Sequence, residues 1–338
     1  MNDLLNAAPV HAVQLPSSMR TMDVANAGGM AFLVGELEKR DPKLYEPLTS
    51  TTWPRDIVAE TGGGWVDYTT TYNVSYATTG SNEDGIIGGQ TNNIPVMQAD
   101  IGRDVNRVFT WSNILKVPFV DQQKLRTIGR SLDDILDKGI RLNHDKTLDM
   151  SCYLGFPGVG SYGLLNNPRV VAAMAPAGAS GSTKWEDKTP QEILNDVNTI
   201  QGDTWAASEY DLSGMANHIL VPPERYRWLV QTIISVNGTA GGMSILNFLL
   251  ENNIGRNQGV DLHIAPCRQC IGAGEGGLDR MGSYANNRER VRFDMTVPLE
   301  RSMTQPVVTQ LAYLTAYVTQ FGEVVFVYTV HAKYYDGI

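Results

Sequence analysis

The sequence has few cysteines, little charge and no long apolar run. Its 338 residues include three cysteines, Cys152, Cys267 and Cys270, too few for a disulfide framework, so we expect a reducing compartment. Charged residues make up 19% of the chain, below the usual share of about a quarter, which is typical of a protein that buries surface against its own copies. No window approaches the roughly 18 apolar residues of a membrane span. The first residues lack the basic start of a signal peptide, so we expect a soluble cytoplasmic protein.

The chain also lacks the familiar catalytic and nucleotide-binding motifs. It contains no G-x-x-x-x-G-K-[ST] phosphate loop, no H-E-x-x-H and no G-x-S-x-G. The glycine run 272–277 resembles a dinucleotide fingerprint only superficially, because no helix pattern follows it and Glu275 would repel a pyrophosphate. The five histidines are dispersed, and His218 and His263 lie in strand patterns, where core or edge positions are commoner than catalytic ones. The sequence therefore predicts no enzyme and no catalytic, cofactor or metal site.

One motif has a chemical alternative. The C-x-x-C spacing of Cys267 and Cys270 is that of a zinc or redox pair, but a structural zinc site needs a second pair, and Cys152 with distant histidines makes a poor one. The motif follows a strand and a proline and does not open a helix. Two incidental thiols are the favoured interpretation, and an α/β enzyme with a Cys267/Cys270 site is the alternative.

Residues 60–105 have the pattern of a long β-hairpin. Between 65 and 76, alternation places Tyr68, Tyr72 and Tyr76 on one face of a strand. The polar run 78–85 predicts a turn, and residues from about 93 to 105 predict the return strand. An isolated two-stranded ribbon is marginal in water, so the hairpin must dock. Pattern alone leaves open whether it docks on another subunit or on its own sheet.

Other segments show regular elements as well. Apolar residues at helical spacing predict a helix over 121–149, about 40 Å long. Thr189-Pro-Gln-Glu192 is a capping box that opens a second helix. From 189 to 298, helices alternate with short strands, which predicts an α/β subdomain. The glycine-rich stretch 271–284 is interpreted as a flexible loop between strands. Strands over 311–319 and 324–333, turning at Gly322, are expected to close the chain against the sheet of the long helix.

The order of these parts resembles the major capsid protein of tailed bacteriophages, which has the Hong Kong 97-type fold shared with encapsulins. The first half of the chain resembles this family in layout only. Sequence resemblances lie in the second half, at 163–168, 189–197, 220–226, 245–253, 278–281 and 334–338. The resemblance implies an α+β fold of four parts. These are an N-terminal arm (1–59), an extended β-hairpin loop (60–105), a peripheral domain (106–188 and 299–338) with spine helix 121–149, and an axial domain (189–298).

The resemblance also implies a function. The chain would self-assemble as hexamers and pentamers into an icosahedral head enclosing double-stranded DNA, in the virion, after assembly in the bacterial host cytoplasm. Further partners would be scaffolding, portal and decoration proteins, while the net charge of −9 argues against a DNA-gripping groove. An encapsulin-type compartment is the alternative. The loop 271–288 would point to the five- and sixfold axes, and the expected inter-subunit contacts are Trp65, Tyr68, Tyr72, Tyr76, Asp279, Arg280, Met281 and Tyr284.

Overall fold

A computed structural model of the chain describes residues 50–79, 94–127, 132–234 and 242–338. Its helices are α1 Trp53–Asp56, α2 Phe119–Thr127, α3 Leu132–Tyr153, α4 Pro190–Ala207, α5 Pro223–Gln231, α6 Ile245–Asn252 and α7 Ile254–Asn257. Its strands are β1 Ala59–Thr61, β2 Tyr68–Thr79, β3 Val96–Pro118, β4 Val171–Met174, β5 His218–Val221, β6 His263–Pro266, β7 Arg280–Tyr284, β8 Val291–Met295, β9 Val297–Arg301, β10 Gln305–Val307, β11 Ala312–Gly322, β12 Val324–Phe326 and β13 Ala332–Asp336. None of the helices in these ranges is both long and apolar enough for a bilayer span.

The segment that enters the body at residue 50 is held there by pairing and by side chains. Strand β1 pairs in parallel with β8. At the start of α1, the backbone N–H of Thr52 donates to Asp149 Oδ1 over 2.9 Å. Residues 50–59, predicted as the end of an arm, are therefore bound to the rest of the described chain, and their assignment to an arm stays a prediction. Residues 1–49 of the predicted arm lie outside the described residues.

The longest strand, β3, joins the hairpin to the body. Its 23 residues pair first with β2 and then with β11, and the change of partner falls between Arg107 and Val108. The predicted return strand ending near 105 is therefore too short. No proline interrupts the segment before Pro118, and Phe109 and Trp111 favour continued strand. The predicted domain boundary at 105/106 falls inside this strand, while the division into domains itself stays a prediction.

The helical pattern after β3 forms the predicted spine. It corresponds to α2 and α3, with residues 128–131 outside the described ranges. Helix α3 ends at Tyr153, four residues later than predicted. It covers the β3–β11 sheet through a small core in which Leu115, Val117, Ile140 and Tyr317 are buried. A helix with one apolar stripe lying on a sheet is the arrangement that its spacing predicts.

A second sheet has the order β4-β13-β7-β5-β6. Helix α4 packs beside it through Ile193, Val197 and Ile200, all fully buried. The capping box that opens α4 is confirmed, since Glu192 N donates to Thr189 Oγ1 over 3.3 Å and Thr189 N donates to Glu192 Oε2 over 2.7 Å.

The end of the chain pairs differently from the prediction. Strand β12 does not continue into β13, because a short 3₁₀ turn at Thr329–His331 separates them. Strand β12 pairs with β8, and β13 pairs with β4 and β7. Of the two predicted closing strands, only the first, which corresponds to β11, joins the sheet under the spine helix. Alternation identified these residues as extended, but it carries no information on which strand each one pairs with.

Gly163 packs too closely for any side chain. A Cβ there would lie 2.3 Å from the carbonyl carbon of Tyr153, while the next two residues donate backbone hydrogen bonds to Cys152 and Tyr153. We expect Gly163→Ala to lower the free energy of unfolding by about 1–3 kcal/mol. Denaturant unfolding of the unassembled subunit measures this change. Gly158→Ala is the control, because nothing lies within 4 Å of its Cβ position. Equal stability of the two variants would refute the packing argument.

Candidate inter-subunit surface

The β2–β3 ribbon carries three tyrosines in a row on one face. Tyr68, Tyr72 and Tyr76 pair directly with Arg107, Arg103 and Ala99 of β3, and directly paired residues of antiparallel strands share a face. The tyrosines are 59%, 66% and 72% exposed. We call this side of the ribbon, with Met97, Ile101 and Val105 of β3, the tyrosine face. All six of these side chains are exposed in the described subunit.

The opposite side of the ribbon is polar. It carries threonine, serine and asparagine from β2, and Asp100 and Asp104 from β3. Asn73 Nδ2 donates to Asp104 Oδ2 over 2.7 Å. At the base of the ribbon, Thr71 on this side is buried, and Arg292 Nη2 donates to its Oγ1 over 3.5 Å. The two sides of the ribbon therefore differ sharply in polarity, as they do in a strand with one buried face.

The tyrosine face continues the core-facing side of β3. Further along this strand, the odd-numbered residues that lie on the same side are half-buried or buried, as Trp111, Leu115 and Val117 show. Strand alternation thus puts Ile101 and Val105, both exposed, on the side of β3 that faces the core near Pro118. The ribbon has the residues of a core face without the second layer that a core requires.

Trp65 lies just before the ribbon and is 58% exposed. The residue that follows it is fixed to β11, because Val66 N donates to Gln320 Oε1 over 3.1 Å and Gln320 Nε2 donates to Val66 O over 2.8 Å. Trp65 and the three tyrosines, all predicted as contact residues, are therefore open at the surface of the subunit. Whether another subunit covers them is a prediction that the single chain leaves untested.

Three of the four contact residues predicted in the loop 271–288 are in the interior. Residues 280–284 form β7, a central strand in which every residue is buried, so the interpretation of 271–284 as one loop is wrong. Arg280 donates to both carboxylate oxygens of Asp336 over 2.6 and 2.9 Å. Met281 is fully buried, and the Tyr284 hydroxyl donates to the backbone oxygen of Asp56. Of the four, only Asp279 is half-buried.

Residues 271–279 are the actual loop, and hydrogen bonds hold it closely. Gly272 N donates to Asp279 Oδ1 over 3.1 Å, and Glu275 N donates to Asp336 Oδ2 over 3.0 Å. Burial raises the pKa of Asp336, but hydrogen bonds from Arg280 and Glu275 outweigh it and leave that pKa below its usual value. The exposed apolar side chains of this loop are Ile271 and Leu278.

The three cysteines are free and buried in one core beside Tyr153 and Leu164. Burial raises the pKa of Cys152 and of Cys270 well above the usual thiol value. The thiolate is the nucleophilic and metal-binding form, so these two thiols are poorly suited to either role. This environment fits the interpretation of the C-x-x-C pair as incidental thiols.

A cluster that sequence reasoning missed lies beside α1. His218 and His263 are directly paired on the parallel strands β5 and β6, with ring centroids 4.6 Å apart. His218 Nε2 lies 3.3 Å from Oδ1 of the buried Asp56. Burial raises the pKa of Asp56, but hydrogen bonds from His218, Arg55 and Tyr153 lower it below its usual value. Both histidines open short apolar strands, a signal that could have paired them. Nothing local in the sequence indicated Asp56.

Comparison with known proteins identifies the family. A family model described as "Major capsid protein" matches residues 83–338. The chain belongs to the major capsid protein family. Among solved structures, the capsid of Myoviridae phage XM1 matches this capsid protein with a TM-score of 0.73 at 17% identity, over 90% of this chain and 97% of that chain. A search of curated proteins finds no significant match.

Structures from two further phages match the capsid protein over most of its length. A chain of Microbacterium phage Oxtober96 has a TM-score of 0.55 at 11% identity, covering 93% of this chain and 98% of that one. A chain of Gordonia phage Cozz has a TM-score of 0.52 at 13% identity and covers 98% of both chains. These findings confirm the predicted Hong Kong 97-type fold. They also confirm a capsid-forming structural protein of the virion, not an enzyme, and they do not favour the encapsulin alternative.

Proposed function

We propose that the capsid protein assembles by packing the tyrosine face of one subunit on a neighbouring subunit, in hexamers and pentamers that close into an icosahedral head around double-stranded DNA. The observation that carries this proposal is the exposed tyrosine face, which extends the core-facing side of β3 beyond the body. Apolar side chains of this number are rarely left uncovered on a soluble protein. A second copy of the same chain is the partner that a shell always supplies.

The composition of the tyrosine face suits such an interface. Tyrosine and arginine are enriched in interface centres, where a few buried anchors contribute most of the binding energy. Tyr68 and Tyr72 stand directly opposite Arg107 and Arg103, so the face is apolar and positively charged. It therefore fits a partner surface that presents apolar side chains and carboxylates.

The other proposed parts follow the order of the chain. Residues 189–298 would surround the five- and sixfold axes, with the loop 271–279 and Asp279 at the ring. Residues 106–188 and 299–338 would form the periphery with the spine helix. Closed rings of two sizes reuse the same surfaces in slightly different geometries. The net charge of −9 supports an inner wall that repels packaged DNA and does not bind its sequence. Assembly would take place in the host cytoplasm, with a separate scaffold or with none, and portal and decoration proteins would be further partners of the head.

Electron cryomicroscopy of the full-length protein expressed alone tests this proposal. We expect closed shells with fivefold and sixfold capsomers, and ribbon density lying on the adjacent subunit. Shells recovered from virions should protect DNA from nuclease, whereas a co-purifying cargo peptide would favour the compartment alternative. A protein that stays monomeric under all assembly conditions, or shells in which each ribbon lies on its own body, would contradict the proposal.

A further inference from the structure

One carboxylate and two imidazoles meet where α1 docks on the second sheet. A carboxylate oxygen of Asp56 and one ring nitrogen from each of His218 and His263 lie within 4.8 Å of one another. We propose that this cluster binds a first-row transition-metal ion and that the ion fastens residues 50–61 to strands β5 and β6. Zn²⁺ fits best, because two imidazole nitrogens and a carboxylate oxygen are a common zinc ligand set.

The sheet places the two imidazoles side by side. His218 and His263 are directly paired in a parallel ladder, so both side chains leave the same face of the sheet. Zinc–nitrogen bonds of about 2.0–2.1 Å at tetrahedral angles place ligand atoms about 3.4 Å apart. Because the three ligand atoms all lie within 4.8 Å of one another, they need to approach by at most about 1.4 Å to surround one ion. Rotation of the exposed His263 ring is enough for much of that change.

Burial gives the cluster an inner and an outer side. Asp56 and His218 are buried, while His263 is exposed to solvent. An ion can therefore enter past His263, and its fourth position would face water. On the inner side, Asp56 Oδ2 accepts a hydrogen bond from the Tyr153 hydroxyl. Such a supporting bond orients a carboxylate so that its other oxygen is directed at the metal.

Arg55 competes with the ion for Asp56. Its Nε donates to Asp56 Oδ1 over 2.6 Å, the oxygen that also lies closest to His218. The Arg55 side chain is 39% exposed, so its Nε can turn away to solvent and release Oδ1. Its charge nevertheless opposes a dication nearby. Removal of this charge should therefore tighten binding, which no purely structural role of the cluster would produce.

Cobalt titration of the full-length, unassembled protein tests the site, because tetrahedral Co²⁺ absorbs visible light and substitutes for Zn²⁺. We expect one equivalent of Co²⁺ to bind and to show the visible absorption bands of an ion with nitrogen and oxygen ligands. The near-ultraviolet absorption of cobalt–thiolate bonds should be absent, and Zn²⁺ should displace the Co²⁺. His263→Gln should weaken binding at least about tenfold. Arg55→Gln should tighten it, and Asp261→Asn, which removes an exposed carboxylate two residues from His263, should leave it unchanged.

Thermal unfolding gives a second readout of the same site. Zn²⁺ should raise the melting temperature of the wild-type chain more than that of His263→Gln, because ligand binding to the folded state stabilises it in proportion to the affinity. His263 is exposed, so this variant should fold normally. The proposal is overturned if the wild-type chain shows no saturable binding, if His263→Gln binds as tightly, or if thiolate absorption places the ion on the cysteines.

Discussion

Replacing Tyr76 with aspartate should abolish shell assembly while the subunit keeps its fold. Tyr76 is 72% exposed in the subunit, so its loss removes little folding energy. In the proposed interface the ring is an anchor whose loss costs about 2 kcal/mol or more, equivalent to about 30-fold in each contact. An unpaired carboxylate buried in its place adds a further penalty. Sedimentation and electron microscopy measure the assembled fraction, and circular dichroism checks the fold.

Ala77→Asp is the matched control for this experiment. Ala77 is the next residue of β2, points to the polar side of the ribbon and pairs with Gln98. The Ala77→Asp variant introduces the same charge into the same strand, and we expect it to assemble like the wild-type chain. Normal assembly of Tyr76→Asp, or equal loss of assembly in both variants, would show that the tyrosine face is not the interface.

Asp336→Asn should lower the free energy of unfolding by about 3–5 kcal/mol, because it leaves the buried Arg280 without a countercharge. Asp336 and Arg280 are 3% and 9% exposed, and their contact joins β13 to β7. The pKa of Asp336 lies below its usual value of 3.8, so its stabilising effect is present above about pH 4 and is lost as pH falls further. Denaturant unfolding of the subunit at neutral and acid pH measures both effects.

A double variant separates charge from packing. Arg280→Met with Asp336→Leu removes both partners and should recover much of the loss, because no buried charge is left unpaired. Asp279→Asn is the neighbouring control and should cost no more than about 1.5 kcal/mol, since its side chain accepts one backbone hydrogen bond from Gly272. A cost below about 1 kcal/mol for Asp336→Asn would mean that solvent compensates Arg280.

The parts of the fold that sequence predicted depend on residues close in the chain. The capping box at Thr189 acts over three residues, and both of its hydrogen bonds form. The tyrosine alternation acts over nine residues of β2, and it correctly predicted which side chains share a face. Such local signals need no knowledge of the rest of the structure.

The parts that sequence missed depend on distant residues. Strand β7 is buried on both faces, so it shows no alternation, and the preceding glycines made 280–284 resemble a loop. Pairing of β13 with β4 and β7 joins residues far apart in the chain. The contact between Asp56 and His218 spans 162 positions. The missed elements are those whose partners only the complete fold brings together.

Because β3 is one uninterrupted strand, the pairing of residues 108–118 with β11 fixes the orientation of the β2–β3 ribbon. Successive side chains of a strand point to opposite sides. Inserting a single residue near 107 would therefore turn the ribbon over, so that its aspartates would lie where the tyrosines had been. An insertion of two residues would keep the tyrosines on the same side and would only lengthen the ribbon. In the proposed assembly, the register of β3 on β11 would therefore set the angle at which one subunit meets the next.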